Sequence, residues 1–139
     1  IEILNRRPEL HDPAFITVPI LGFIAAGKAL EPHTDPNAKM DVPPAFISGQ
    51  KRVYVLQVRG DSMIEDHITD GDFVIVEQTD KAKNGEIVVA MLENGFATLK
   101  RFFKEATRVR LEPANSTMAP IFVKDVVIQG KMVGLIRKM

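Results

Sequence analysis

A serine in a tight turn and a lysine inside a strand are the two side chains of this sequence best suited to covalent chemistry. Ser62 lies in Gly60-Asp61-Ser62-Met63, directly after the apolar run 53–58. Such a turn exposes a hydroxyl while aiming neighbouring backbone N–H groups at one point, the geometry an oxyanion hole needs; the N–H groups of Asp61 and Ser62 are the candidates. A competing reading makes Ser62 the cap of a short helix behind it, with Glu65 at the capping-box position, and the local sequence alone favours that cap. As a nucleophile Ser62 needs a base. His11, His33 and His67 have no clear partner in the sequence. A lysine can serve if it is neutral, which requires burial, because desolvation lowers its pKa from about 10.4. Lys100 is the best candidate, with Leu99, Phe102 and Phe103 close by in its run. Phe96, Thr98 and Lys100 share one strand face, and spacing alone favours a solvent-facing Lys100.

Other chemistries find little support. The 139 residues contain no cysteine, which removes thiol nucleophiles, disulfides and thiolate zinc sites. No His-x-His or His-x-x-x-His pair is present, and Glu65, Asp66, Asp70 and Asp72 do not have calcium-loop spacing; no metal and no cofactor is expected. The 18 basic residues balance the 18 acidic ones. A surface that neutralises phosphates usually shows a basic excess, so direct nucleic-acid binding by this piece is not expected. No long apolar run reads as a membrane span and no signal segment leads the chain, so the placement expected is cytoplasmic, away from membranes.

The elements that must position these residues are mostly strands. Runs 53–58, 73–77 and 87–92 are apolar and β-branched and are separated by Gly60, Asp70-Gly71 and Asn84-Gly85. Asn94-Gly95 reads as a two-residue hairpin joining the run that ends at Glu93 to 96–103, which would set Lys100 opposite Val89. Further β-type runs cover 108–111 and 126–136. Residues 15–23, with Pro19 inside, read as an irregular or edge strand, followed by a flexible loop to about Ala45. A mainly β domain follows, with helix confined to a turn or so after Ser62 and to the N-terminal end.

In combination these parts resemble the LexA family of self-cleaving repressors: Gly60-Asp61-Ser62-Met63, then Asp70-Gly71-Asp72 and a strand, then Thr98-Leu99-Lys100-Arg101. The resemblance spans about residues 14–136 and implies a compact β domain like that of the signal peptidases, with a flexible cleavage loop. It also implies a Ser62/Lys100 dyad that cuts the chain's own Ala26–Gly27 bond, with Ile24 and Ala25 as recognition residues before it. Ala before the bond suits a shallow pocket, and Gly after it lets the backbone approach the nucleophile. Residues 1–13 are expected to be a linker from an absent N-terminal DNA-binding domain, and 14–139 the protease and dimerisation domain. The partners implied are a second copy in a homodimer, the RecA–single-stranded DNA filament as activator, and operator DNA through the absent domain only. The alternatives are a UmuD-type self-processing accessory factor of a translesion polymerase and a catalytically silent dimerisation module.

Overall fold

The computed structural model describes residues 15–139; the linker expected over residues 1–13, with His11, lies outside them. Ten strands form the framework: β1 (Ile16–Ala25), β2 (Glu31–Pro32), β3 (Lys39–Val42), β4 (Val53–Arg59), β5 (Phe73–Glu77), β6 (Ile87–Met91), β7 (Ala97–Lys104), β8 (Val109–Glu112), β9 (Ile121–Val123) and β10 (Val127–Ile136). Two single 3-10 turns, at Pro44–Phe46 and Ile64–Asp66, are the only helical elements among the described residues. The strands join in one sheet in the order β2-β1-β4-β5-β10-β6-β7-β8-β9, with β3 also paired to β1. The mainly β reading therefore holds.

The central strands read as continuous apolar runs because alternate residues feed different cores. Leu56, Val74 and Val76 enter one cluster with Met63, Ile68 and Leu99, just beneath the Ser62 turn. Val55 and Ile75, pointing the other way, enter a second cluster with Val18 and Val42. A third gathers Val88, Phe102, Leu111 and Ile128. Burying both faces removes the polar alternation that a half-exposed strand would show.

Three sequence expectations change. Strand β1 is interior, paired to β3 and β2 along one side and parallel to β4 along the other. Pro19 is tolerated there because β4 is registered only from Ile20 onward, so its missing N–H costs the ladder nothing on that side. Within the expected 24–45 loop, Glu31–Pro32 and Lys39–Val42 form short strands that the Pro- and Asp-rich composition concealed.

The third change concerns the hairpin register. Lys100 faces Val88, and Val89 faces Leu99. Gly95 N–H donates to the Leu92 carbonyl at 2.9 Å and Leu92 N–H to the Phe96 carbonyl at 2.8 Å, which closes a three-residue loop over 93–95. Gly95 has a φ of 85°, the left-handed residue that ends such a loop in a bulge and slips the register by one. Gly95→Ala is therefore expected to lower folding free energy by about 1–2 kcal/mol in urea unfolding, with Gly95→Asn costing less because Asn tolerates left-handed backbone.

Candidate active site

Ser62 and Lys100 are 38 residues apart in sequence and meet in the fold: Lys100 Nζ is 3.4 Å from Ser62 Oγ. Strand β4 delivers the serine. Its last turn is closed by Val58 N–H to the Asp72 carbonyl at 2.8 Å and Gly71 N–H to the Val58 carbonyl at 2.7 Å. Gly60, at a φ of 93°, reverses the chain, and its N–H is held by Asp70 Oδ1 at 2.7 Å. Ser62 does not cap the 3-10 turn that follows; Met63 occupies the cap position without a side-chain hydrogen bond. Glu65 is engaged elsewhere, accepting from Ser116 N–H at 2.7 Å, so the capping box does not form. The Ser62 hydroxyl is left to face Lys100.

Two further segments brace the turn. Asn115 Nδ2 donates to the Asp61 carbonyl at 2.9 Å, and Glu65 N–H donates to the Ala114 carbonyl at 2.7 Å. On the other side Asp72, only 2% exposed, accepts from Arg137 Nε and Nη2, each at 2.8 Å, and from Thr69 N–H. The Arg137 hydrogen bond is the main reason the Asp72 carboxyl is drawn down to about 2. Arg137 Nη2 also donates to the His67 carbonyl at 2.8 Å, which ties the end of β10 to the turn. Among the described residues the backbone N–H groups of Asp61 and Ser62 donate to no other backbone carbonyl.

Lys100 is 3% exposed, contrary to the solvent-facing placement that spacing favours. Strand β7 is covered on both faces along 97–100, so a polar residue at that register has no route to water. The ammonium finds only neutral acceptors among the described residues: Ser62 Oγ, Thr98 Oγ1 and the Leu99 carbonyl. With no carboxylate to offset the loss of water, burial pulls its pKa down to about 8.

The segment that follows β1 reaches the same place. Ile24 is buried in the core, while Ala25 ends β1 in register with Arg59. Ala26 and Gly27 form an exposed turn with Gly27 at a φ of 76°. Lys28 then bridges to β7, its carbonyl accepting from Ala97 N–H at 2.9 Å. The segment thus runs from beside β4, which leads into the Ser62 turn, to β7, which carries Lys100. A cleft of about 330 Å³ opens there, lined among others by Ala25, Ala26, Asp61 and Ser62.

Comparisons with known proteins show the family. The model of the Peptidase S24-like family matches residues 19–133. The LexA repressor of Geobacillus kaustophilus is 43% identical over 139 residues, covering 99% of this chain and 67% of that protein. The chain belongs to the LexA family. The LexA repressor of Bacillus subtilis is 41% identical over 137 residues, with the same coverage of both chains, and that of Geobacillus sp. strain WCH70 is 47% identical over 122 residues, covering 88% of this chain and 59% of that protein. The chain thus spans about two thirds of the length of these LexA repressors, or somewhat less.

The remaining candidates take structural places. His33 stacks on Phe23 with ring centroids 5.6 Å apart, and His67 is an exposed residue at a φ of 62°. The acidic residues after Ser62 are each engaged by protein groups, Asp66 by Arg101 at 2.7 Å, and among the described residues no group of three or more could hold a metal ion. Among the same residues no helix is long and apolar enough to cross a membrane. Sequence reasoning missed Thr98, Asn115 and Arg137. Only Thr98 carried a signal, since it precedes Lys100 by two on one strand face.

The depressed Lys100 value has a consequence for stability. The folded pKa of about 8 lies below the ordinary 10.5, so between those values the native state holds fewer protons than the unfolded chain. Stability therefore rises with pH through that window, and below it the full cost of a buried ammonium remains. In a Ser62→Ala background, Lys100→Met is expected to raise the urea midpoint at pH 7, and this advantage should shrink as pH climbs from about 8 to 10.5. An advantage that stays constant over that range would mean that Lys100 titrates in the folded protein as it does in the unfolded chain.

Proposed function

We propose that this domain cuts its own backbone between Ala26 and Gly27, with Ser62 as nucleophile and Lys100 as general base. The observation that carries the reading is a buried lysine with a depressed pKa 3.4 Å from a serine hydroxyl, beside a cleft that the scissile segment itself lines. Neutral Lys100 takes the Ser62 proton as Oγ bonds to the Ala26 carbonyl carbon. The oxyanion is received by the N–H groups of Asp61 and Ser62. Collapse breaks the bond to Gly27, and the Lys100 ammonium returns the proton to the leaving amine. Water, activated by the same lysine, then releases the acyl group from Ser62. Ile24 and Ala25 set the segment in register through the β1–β4 ladder. Since nucleophile and substrate share one chain, the reaction has the advantage of a high effective concentration.

As a LexA-family domain it is the regulatory part of an SOS repressor, and cleavage ends repression by separating this part from the DNA-reading part. On this reading residues 14–139 are the protease and dimerisation domain, and residues 1–13 link it to a DNA-binding domain that alone contacts the operator. The domain works as a homodimer. The RecA–single-stranded DNA filament acts by favouring the docked state of the scissile segment over an undocked one.

The reading is tested by mass spectrometry of purified protein after incubation at alkaline pH. Two fragments meeting at Ala26–Gly27 are expected, with the rate rising about tenfold per pH unit below the Lys100 pKa and levelling above it. Ser62→Ala and Lys100→Ala should each slow cleavage by about a thousandfold or more. A rate that is flat from neutral to strongly alkaline pH would argue against lysine as the base, and fragments from the Ser62→Ala protein would remove the serine from the mechanism.

A further inference from the structure

We infer that Arg59 is a positioning residue for the scissile segment, latching both arms of its loop onto the strand that leads into Ser62. The inference rests on the cleavage reading above and adds to it the contact that holds the substrate in place. Arg59 ends β4, three residues before Ser62. Its guanidinium lies over the Phe23 ring, 3.8 Å from the centroid, and its Nη1 is 3.0 Å from Glu31 Oε1. Phe23 precedes the Ala26–Gly27 bond on β1, and Glu31 follows it on β2. One side chain on the nucleophile's strand therefore grips the segment on both sides of the bond to be cut. All three residues line the cleft that also contains Ser62.

The local backbone is shaped to allow this grip. A Cβ on Gly22 would stand 2.1 Å from the Glu31 carbonyl oxygen, so the missing side chain is what lets β2 close against β1. That approach brings the Glu31 carboxylate to Arg59. Phe23 is further held by His33, which stacks on it at an interplanar angle of 13°.

The latch is peripheral to the cores. The Arg59 side chain is 49% exposed and that of Glu31 56%, so neither supports the packing of the domain. Exposed ion pairs and cation–π contacts are individually weak. Docking of a loop, unlike global unfolding, is a local equilibrium of small free energy, and contacts of this size are enough to set its population.

Trypsin reads docking directly, because Lys28 lies in the segment and is bridged to Ala97 when the segment is seated. In a Ser62→Ala background, Arg59→Ala is expected to raise the initial rate of cutting after Lys28, read by fragment mass, about three- to tenfold. Glu31→Gln should raise it less, since the cation over Phe23 remains, and Arg59→Lys should stay near the parent rate. The thermal midpoint should not move. With Ser62 present, Arg59→Ala should slow self-cleavage at every pH, by a smaller factor than the tryptic rate rises, because the seated fraction falls less than the unseated fraction grows. An unchanged tryptic rate in Arg59→Ala overturns the latch, and so does a faster rate matched by a lower thermal midpoint, which would report general loosening. The tryptic assay needs no nucleophile, so a parent protein that never cleaves itself would sink the cleavage reading while the latch is still judged on its own result.

Discussion

The arrangement depends on one unfavourable placement, an ammonium group buried without a counter-charge. Lys100 is 3% exposed and meets only hydroxyl and carbonyl oxygens. Had a carboxylate stood beside it, attraction would have opposed the desolvation and kept the group charged. The chain carries as many acidic as basic residues, and acidic residues that follow Ser62 in sequence are engaged by other groups. Asp66 pairs with Arg101, Asp72 with Arg137, and Glu65 with the backbone of Ser116. Desolvation without such an offset is what brings the Lys100 pKa down to about 8.

A cost of this kind is sustained only where the surroundings cannot rearrange to relieve it. Strand β7 is held by β6 at Lys100 and by β8 from Arg101 onward, and its 97–100 stretch is buried, which fixes Lys100 in place. Ser62 is fixed just as firmly, by the β4–β5 neck below it and by Asn115, Ala114 and Arg137 around it. Ser62 and Lys100 therefore sit on rigid elements, whereas the bond proposed to be cut lies in an exposed turn, Ala26–Gly27. On the cleavage reading, fixed reacting groups and a separately held segment make the position of the segment a means of controlling the rate.

How much of this could be read from the sequence follows from where the determining forces lie. Strands β4, β5 and β10 were legible to within a residue, β4 and β5 because a largely buried run is almost wholly apolar, and β10 because it is long and rich in apolar residues although only half-buried. Ser62 was legible as a turn residue, but its freedom from capping was not, because the partner that removes Glu65 is Ser116, 51 residues away. Lys100 illustrates the limit most clearly. Its own strand face is mixed, and its burial is decided by neighbouring strands and by a register that Gly95 shifts by one. Its apolar neighbours made it the best candidate base, strand spacing alone set it toward solvent, and the resemblance of the whole pattern then implied its role. Strands β2 and β3 were missed since their pairing with β1 is a long-range event in a segment rich in proline and aspartate.

Linkage joins the two parts of the site. Wherever seating of segment 26–28 screens Lys100 from water, it must lower the lysine pKa, and removal of the lysine proton must then favour seating by an equal free energy. Base and substrate position are in that case not independent variables. Raising the pH supplies a neutral amine and at the same time draws the segment toward it. An activator that seats the segment by binding supplies the neutral amine in turn, at a pH where the unseated domain would hold its proton. A buried lysine therefore does more than replace histidine as a base. Burial within the sheet already brings its value from 10.5 to about 8, and on the cleavage reading any further screening by the seated segment lowers it more, so presenting the bond also favours the neutral base. Histidine, already half neutral near pH 6.5, would leave the base permanently available and the control resting on loop position alone.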